Sequence, residues 1–246
     1  MVSWSGDSVY GWRVRIGLLV VASDVTCASE LNKFAPEGVS FIISRMKFLG
    51  KVIPKTVEKL ADEVENATEL LLPAKVKVVA FCCTSGSFIK GSDWDKKIIE
   101  IIESKGIGIS ATTTSTAVIK ALNQLKIKNV AVATPYIKEV NEHLKRFLIT
   151  EGFNVVSMKG LEIIDDADVN NLPPYAAYSL AKEVNVPEAD GIFISCTSIR
   201  TFEVIDLLEK DLGKPIISSN QATMWDSLRK ANISLPIKGL GRLLTL

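Results

Sequence analysis

A chain of 246 residues, 47% hydrophobic and 23% charged, suits one large α/β unit or two small ones and can build a sizeable core. Its 29 basic and 28 acidic residues leave a formal net charge of +1, so there is no global basic field for nucleic acid, and no Lys/Arg run marks a nucleic-acid groove. No apolar run is long enough to span a membrane, and the opening MVSWSGDSVYGW lacks the basic start and apolar stretch of a secretory signal.

Residues 1–13 are therefore expected to form a tail into the first strand. From there, short β-rich runs read as buried strands: RIGLLVVA, VSFIISRM, KVVAFCC, IGISAT, NVAVAT, NVVSMKG, GIFISC and KPIISS. Between most of them lie stretches with helical spacing, over 54–72, 94–105, 116–125, 137–151, 174–184 and 201–211, and a last helix is predicted over 220–230. Continuous apolar strands alternating with helices predict an α/β fold of parallel sheets covered on both faces.

The order repeats. Cys-Thr-Ser ends the third strand of each half, at Cys83 and Cys196, 113 residues apart; Arg15 and Asn129 open the halves 114 apart. Two positions in register predict an internal duplication. The expected division is a first lobe over 14–115, a second over 116–219, and a C-terminal helical segment, 220–246, packed back on the first.

Ligands of parallel α/β sheets sit beyond the carboxyl ends of the strands, where both Cys-Thr-Ser motifs fall. A thiol placed there faces free backbone N–H groups, which predicts a depressed thiol pKa and an anion pocket built from Thr84, Ser85 and Gly86 in one half and Thr197 and Ser198 in the other. A single cysteine at a strand end is more often a small buried hydrophobe; two at equivalent positions of a duplication point to function. Cys82 alternates with Cys83 and is expected in the core, and Cys27, in SDVTCASE, is expected to be a packed or partly exposed loop thiol. Four cysteines without a CxxC pair predict free thiols and a cytoplasmic setting.

Several chemistries find no support. The only histidine, His143, sits in the amphipathic stretch VNEHLKRFL, so neither a Cys–His dyad nor a zinc site is expected. No GxGxxG follows a strand and no GxxxxGK[ST] occurs, so no nucleotide cofactor is expected.

CTSGS at 83–87, SCTSIR at 195–200, TPY at 134–136, GLGRLL at 239–244, the opening GWRVRIGLLV and APEGV at 35–39 together resemble the aspartate/glutamate racemase superfamily, on the branch of maleate cis–trans isomerase and arylmalonate decarboxylase. The resemblance runs from Gly11 to the end. It implies two similar flavodoxin-like lobes related by a pseudo-twofold axis, an active site in the cleft between them, and catalysis by opposed cysteines without metal or coenzyme. It implies that Cys83 is the nucleophile, Cys196 the acid/base partner, and Tyr136 a hydrogen-bond donor to a substrate carboxylate.

The chain departs from that pattern in two places. The branch carries Ser-Asn-Thr after the first strand, with the asparagine on a carboxylate; here the residues are Ser23-Asp24-Val25. A second family asparagine falls near Asp165 or Asp166 in EIIDDAD. An amide can donate to a carboxylate and an ionised carboxylate cannot; like charges about 4 Å apart repel by about 4 kcal/mol at an effective dielectric of 20. The expected substrate is thus a small carboxylic acid or an amide-bearing analogue. The leading expectation is a cofactor-independent isomerase. Alternatives are a two-thiol amino-acid or hydantoin racemase, an arylmalonate-type decarboxylase, and a non-catalytic small-molecule binding protein. No nucleic-acid or membrane partner is expected, and a homo-oligomer is.

Overall fold

The computed structural model describes residues 9–246, so residues 1–8 of the expected tail lie outside the described residues. Eight strands form: β1 (Val14–Val21), β2 (Val39–Met46), β3 (Val78–Cys82), β4 (Ser110–Thr113), β5 (Asn129–Thr134), β6 (Asn154–Gly160), β7 (Gly191–Ile194) and β8 (Ile216–Ser218). They make two parallel four-stranded sheets with the same order, β2-β1-β3-β4 and β6-β5-β7-β8. All eight runs read from the sequence are strands. The central ones, β1, β3, β5 and β7, are buried almost throughout, which is why they are continuous apolar runs. The edge strands β2 and β6 alternate in exposure and carry polar residues to match.

Helices follow the strands: α1 (Cys27–Lys33), α2 (Pro54–Val57), α3 (Val64–Glu69), α4 (Thr84–Phe88), α5 (Ser92–Ser104), α6 (Thr114–Gln124), α7 (Lys138–Thr150), α8 (Asp166–Asn170), α9 (Pro174–Val184), α10 (Ile205–Leu212) and α11 (Ser219–Lys230). The helix predicted over 54–72 is instead α2, a 3-10 turn over Glu58–Glu63, and α3. Three short helices were invisible to periodicity, α1, α4 and α8, because five to seven residues are too few to repeat an apolar face.

The duplication extends to helix caps. Thr113 and Ser218 end the fourth strand of each half, and each side chain accepts a backbone N–H two residues into the next helix, from Thr116 at 3.0 Å and Gln221 at 3.2 Å. Those helices, α6 and α11, pack on each other, and α11 also lies against β3 and β4. Thr112 Oγ1 donates to Asp226 at 2.6 Å and Lys120 pairs with the same carboxylate at 2.9 Å, tying α11 and α6 to the first sheet. The carboxyl ends of both sheets are thereby brought to one seam.

Candidate active site

Cys83 directly follows β3 and is the N-cap of α4. Its sulfur accepts the Gly86 N–H at 3.4 Å, and the Ser85 hydroxyl lies 3.7 Å away. A Cβ on Gly86 would sit 3.1 Å from the Phe81 ring and 3.2 Å from the Cys83 sulfur, so glycine is what lets this N–H reach the thiol. Cys196 follows β7 with φ of 123°, a backbone region that side-chain-bearing residues seldom occupy. Strain of this kind persists only where the surroundings over-determine it. Here the Cys196 N–H is held by Ser219 Oγ at 3.0 Å. The same oxygen accepts from Thr84 Oγ1 at 2.8 Å, so one hydroxyl at the start of α11 ties the two cysteine loops together.

Both cysteines line a single narrow cleft with Val21, Phe48, Val52, Thr84, Ser85, Tyr136, Asp166, Thr197 and Ser198. Eight residues singled out from the sequence therefore meet in one place. Gly86 and Asp24 are not among the lining residues, and Asp24 is fully buried. Its Oδ1 accepts the N–H groups of Thr26 at 2.7 Å and Cys27 at 2.9 Å; Oδ2 has no hydrogen-bond partner among the described residues, although the Thr197 side chain lies beside it. Asp24 thus sits one layer behind the cavity wall. Asp165 caps α8 through the Ala167 N–H, whereas Asp166 faces the cavity.

Asp166 is delivered by a contact between the halves. The segment after β2 crosses to the loop after β6: Val52 N–H donates to Ile164 O and Asp166 N–H donates to Gly50 O, each at 2.7 Å. Ser23 Oγ donates to Asp166 Oδ2 at 2.5 Å from the other side. Phe48 and Val52 on this segment, with Val21, give the cavity an apolar wall. Composition and spacing carried no signal for Phe48, Val52 or Ser23, because loops lack a period.

Tyr136 is buried, with Ser195 Oγ at 3.4 Å from its hydroxyl. Gly160, at the end of β6, makes room for its turn: a Cβ there would lie 2.3 Å from the Tyr136 carbonyl oxygen. A second buried carboxyl, Glu30 on α1, holds the loop after Cys196 by accepting the N–H groups of Thr201 at 2.7 Å and Phe202 at 2.9 Å and the Asn220 amide at 2.7 Å.

The electrostatics correct one expectation. The thiols are not depressed. Burial pushes Cys83 up to about 12; the Gly86 N–H and Ser85 hydroxyl pull the other way but do not win, and the carboxyls of Asp166 and Asp24 push it further up. Burial, then Asp166, raises Cys196 as well. Burial is what outweighs the Gly86 N–H and the Ser85 hydroxyl at Cys83. Burial likewise raises Asp24 to about 6, with Asp166 adding to it, and Tyr136 well above its ordinary value. Cys27 is packed, one of the two states expected of it, but it is the first residue of α1 rather than part of a loop, and its sulfur meets that of Cys82, which lies in the core as anticipated.

Comparison with known proteins agrees with this geometry. The arylmalonate decarboxylase family model matches residues 16–244. Arylmalonate decarboxylase of Bordetella bronchiseptica is 30% identical over 234 residues, covering 93% of this chain and 95% of that one. Maleate isomerase of Nocardia farcinica is 25% identical over 239 residues, covering 94% and 95%. The fold is shared with a solved cysteine-to-serine variant of the Nocardia farcinica maleate cis–trans isomerase carrying a covalently bound succinylcysteine intermediate, at a TM-score of 0.89, 23% identity and coverage of 94% and 98%. With a match over nearly its whole length and paired strand-end cysteines in one cleft, the chain belongs to the arylmalonate decarboxylase family.

Proposed function

We propose that this protein is a cofactor-independent isomerase of the maleate cis–trans isomerase type, acting on a small unsaturated carboxylic acid or its amide-bearing analogue. The observation that carries the reading is the convergence of two thiols, Cys83 and Cys196, on one small cavity. In this reading the lobes are 14–115, with 220–246 packed on it, and 116–219. The enzyme is cytoplasmic and assembles from copies of itself.

The chemistry follows from the residues. Cys83 loses its proton to water and its sulfur adds to one alkene carbon, forming a C–S bond as the π pair moves onto the neighbouring carbon and its carboxyl. The hydroxyls of Ser85, Thr197 and Ser198 and the Tyr136 phenol line the cleft and can donate to that enolate-like charge, while Thr84 spends its O–H on Ser219. Cys196 lends and recovers the proton at the carbanionic carbon. The carbon–carbon bond, now single, rotates; breaking the C–S bond restores the alkene in the trans form and returns the electron pair to Cys83. Such a step leaves a succinylcysteine as the intermediate on maleate, the species named for the Nocardia farcinica variant.

The test is incubation with maleate and its monoamide, following trans product by NMR and a +116 Da adduct class on the Cys83 peptide by mass spectrometry, a mass of about that of maleic acid by addition. Trans product from neither compound, with no adduct on Cys83, would defeat the reading. The apolar wall of Val21, Phe48 and Val52 favours a second reading, decarboxylation of an arylmalonate. In that case phenylmalonate would release carbon dioxide and maleate would be inert.

A further inference from the structure

We propose that the cleft selects a substrate whose second polar group donates hydrogen bonds or carries positive charge, an amide, ammonium or ring N–H, and seats that group on Asp166 with Asp24 behind it. The inference rests on the reading that the Cys83–Cys196 cleft is the substrate site, and it names the substrate class for that site.

Three observations carry it. First, the wall of the cleft carries a carboxyl. Asp166 lines the cavity, and both donors it has, Ser23 Oγ at 2.5 Å and Asn170 Nδ2 at 3.4 Å, reach Oδ2; Oδ1 takes no hydrogen bond among the described residues. Second, no cation answers either carboxyl. Among the described residues no Lys or Arg pairs with Asp24 or Asp166, and the guanidinium of nearby Arg45 is spent on the backbone carbonyls of Val21, Ala22 and Asp24. Third, Asp24 Oδ2 is buried behind the wall with the Thr197 side chain beside it and no hydrogen bond among the described residues, so its charge adds to that of Asp166.

A dicarboxylate would add a third negative charge to this corner. An amide N–H₂ or ammonium would instead meet the open Oδ1 and leave the substrate's one carboxylate to the hydroxyls at the cysteine loops. The same contact would help chemistry. The two carboxyls disfavour the Cys83 thiolate, so a donor that neutralises them lowers the cost of forming the nucleophile when, and only when, the right substrate is in place.

The experiment separates binding from turnover. Succinamate and succinate are saturated, unreactive counterparts of the monoamide and the diacid. Their affinities for wild type, Asp166→Asn and Asp24→Asn are measured by calorimetry, and each variant's fold is checked by circular dichroism. Wild type is expected to bind succinamate at least tenfold more tightly than succinate, and Asp166→Asn to shift that ratio at least tenfold towards succinate. Asp24→Asn serves as the second variant and should shift it in the same direction by a smaller factor. Equal or tighter succinate binding by wild type, binding of neither compound, or a ratio unmoved in both variants overturns the proposal. The binding preference without any isomerisation of maleamate or maleate would leave this inference standing and remove the isomerase reading alone.

Discussion

Thr84, which follows one cysteine, donates its hydroxyl hydrogen to Ser219 at 2.8 Å, and Ser219 in turn holds the N–H of the other cysteine, Cys196. The link is buried, and it crosses from the first half of the chain to the helix that ends the second. Because Cys196 is kept at a positive φ, the hydroxyl acts against a backbone that would otherwise relax.

Removing it should therefore cost more than a hydrogen bond. Ser219→Ala leaves the Cys196 N–H and the Thr84 hydroxyl unsatisfied, a penalty of about 1–3 kcal/mol in unfolding free energy. Turnover should fall tenfold or more with KM little changed, because the reacting sulfur rather than the binding hydroxyls is displaced. Ser219→Thr, which keeps the hydroxyl, should recover much of the loss. Denaturation curves and steady-state kinetics on the three proteins check this; an Ala variant with wild-type kinetics would count against the role.

The thiols should titrate high. With Cys83 pushed up to about 12 by burial, its alkylation by iodoacetamide should climb about tenfold per pH unit from 7 to 10 without a plateau. Cys82 and Cys27, sealed in the core, should react more slowly than Cys83 throughout. Peptide mapping across the pH series reads both. A plateau near pH 7–8 would show an activated thiolate in the ligand-free protein.

Neither catalytic thiol should be needed for folding. Cys83→Ala and Cys196→Ala each remove one sulfur at a cavity wall, so stability should change by about 1 kcal/mol or less while turnover is abolished. Full activity in either variant would favour a one-cysteine decarboxylase.

Stability should decline with pH across neutrality. Burial holds Asp24 near 6, Glu30 near 7 and Asp95 near 6 in the folded protein, above their ordinary values of 3.8, 4.5 and 3.8. The folded state keeps protons that the unfolded chain releases, so this contribution is full below about pH 4 and is lost as pH rises through 6–7. Each group contributes about 3 kcal/mol at most, since one pKa unit is about 1.4 kcal/mol. Melting at pH 5.5 should lie above melting at pH 8, and Asp24→Asn should flatten the difference. A higher melting temperature at pH 8 would show that these carboxyls are not the buried groups that dominate.

The sequence by itself determined the eight strands, their grouping into two halves and the equivalence of Cys83 and Cys196, because each rests on a local signal: a continuous apolar run, or one motif repeated at one offset. It also put Asp24 and Asp166 under suspicion through their departure from the family's asparagines. Only tertiary structure decided which carboxyl faces the cavity. The crossing of 47–53 onto the loop after β6 brings Asp166 in, while two backbone N–H groups turn Asp24 away. It alone placed Phe48 and Val52, which come from a segment without a period, and it alone set the hydroxyl of Ser219 between the two cysteine loops. It also reversed the expected direction of the thiol pKa values. An N–H at a strand end is a local favour to a thiolate, but desolvation and the field of Asp166 and Asp24 depend on what the rest of the chain folds around the sulfur.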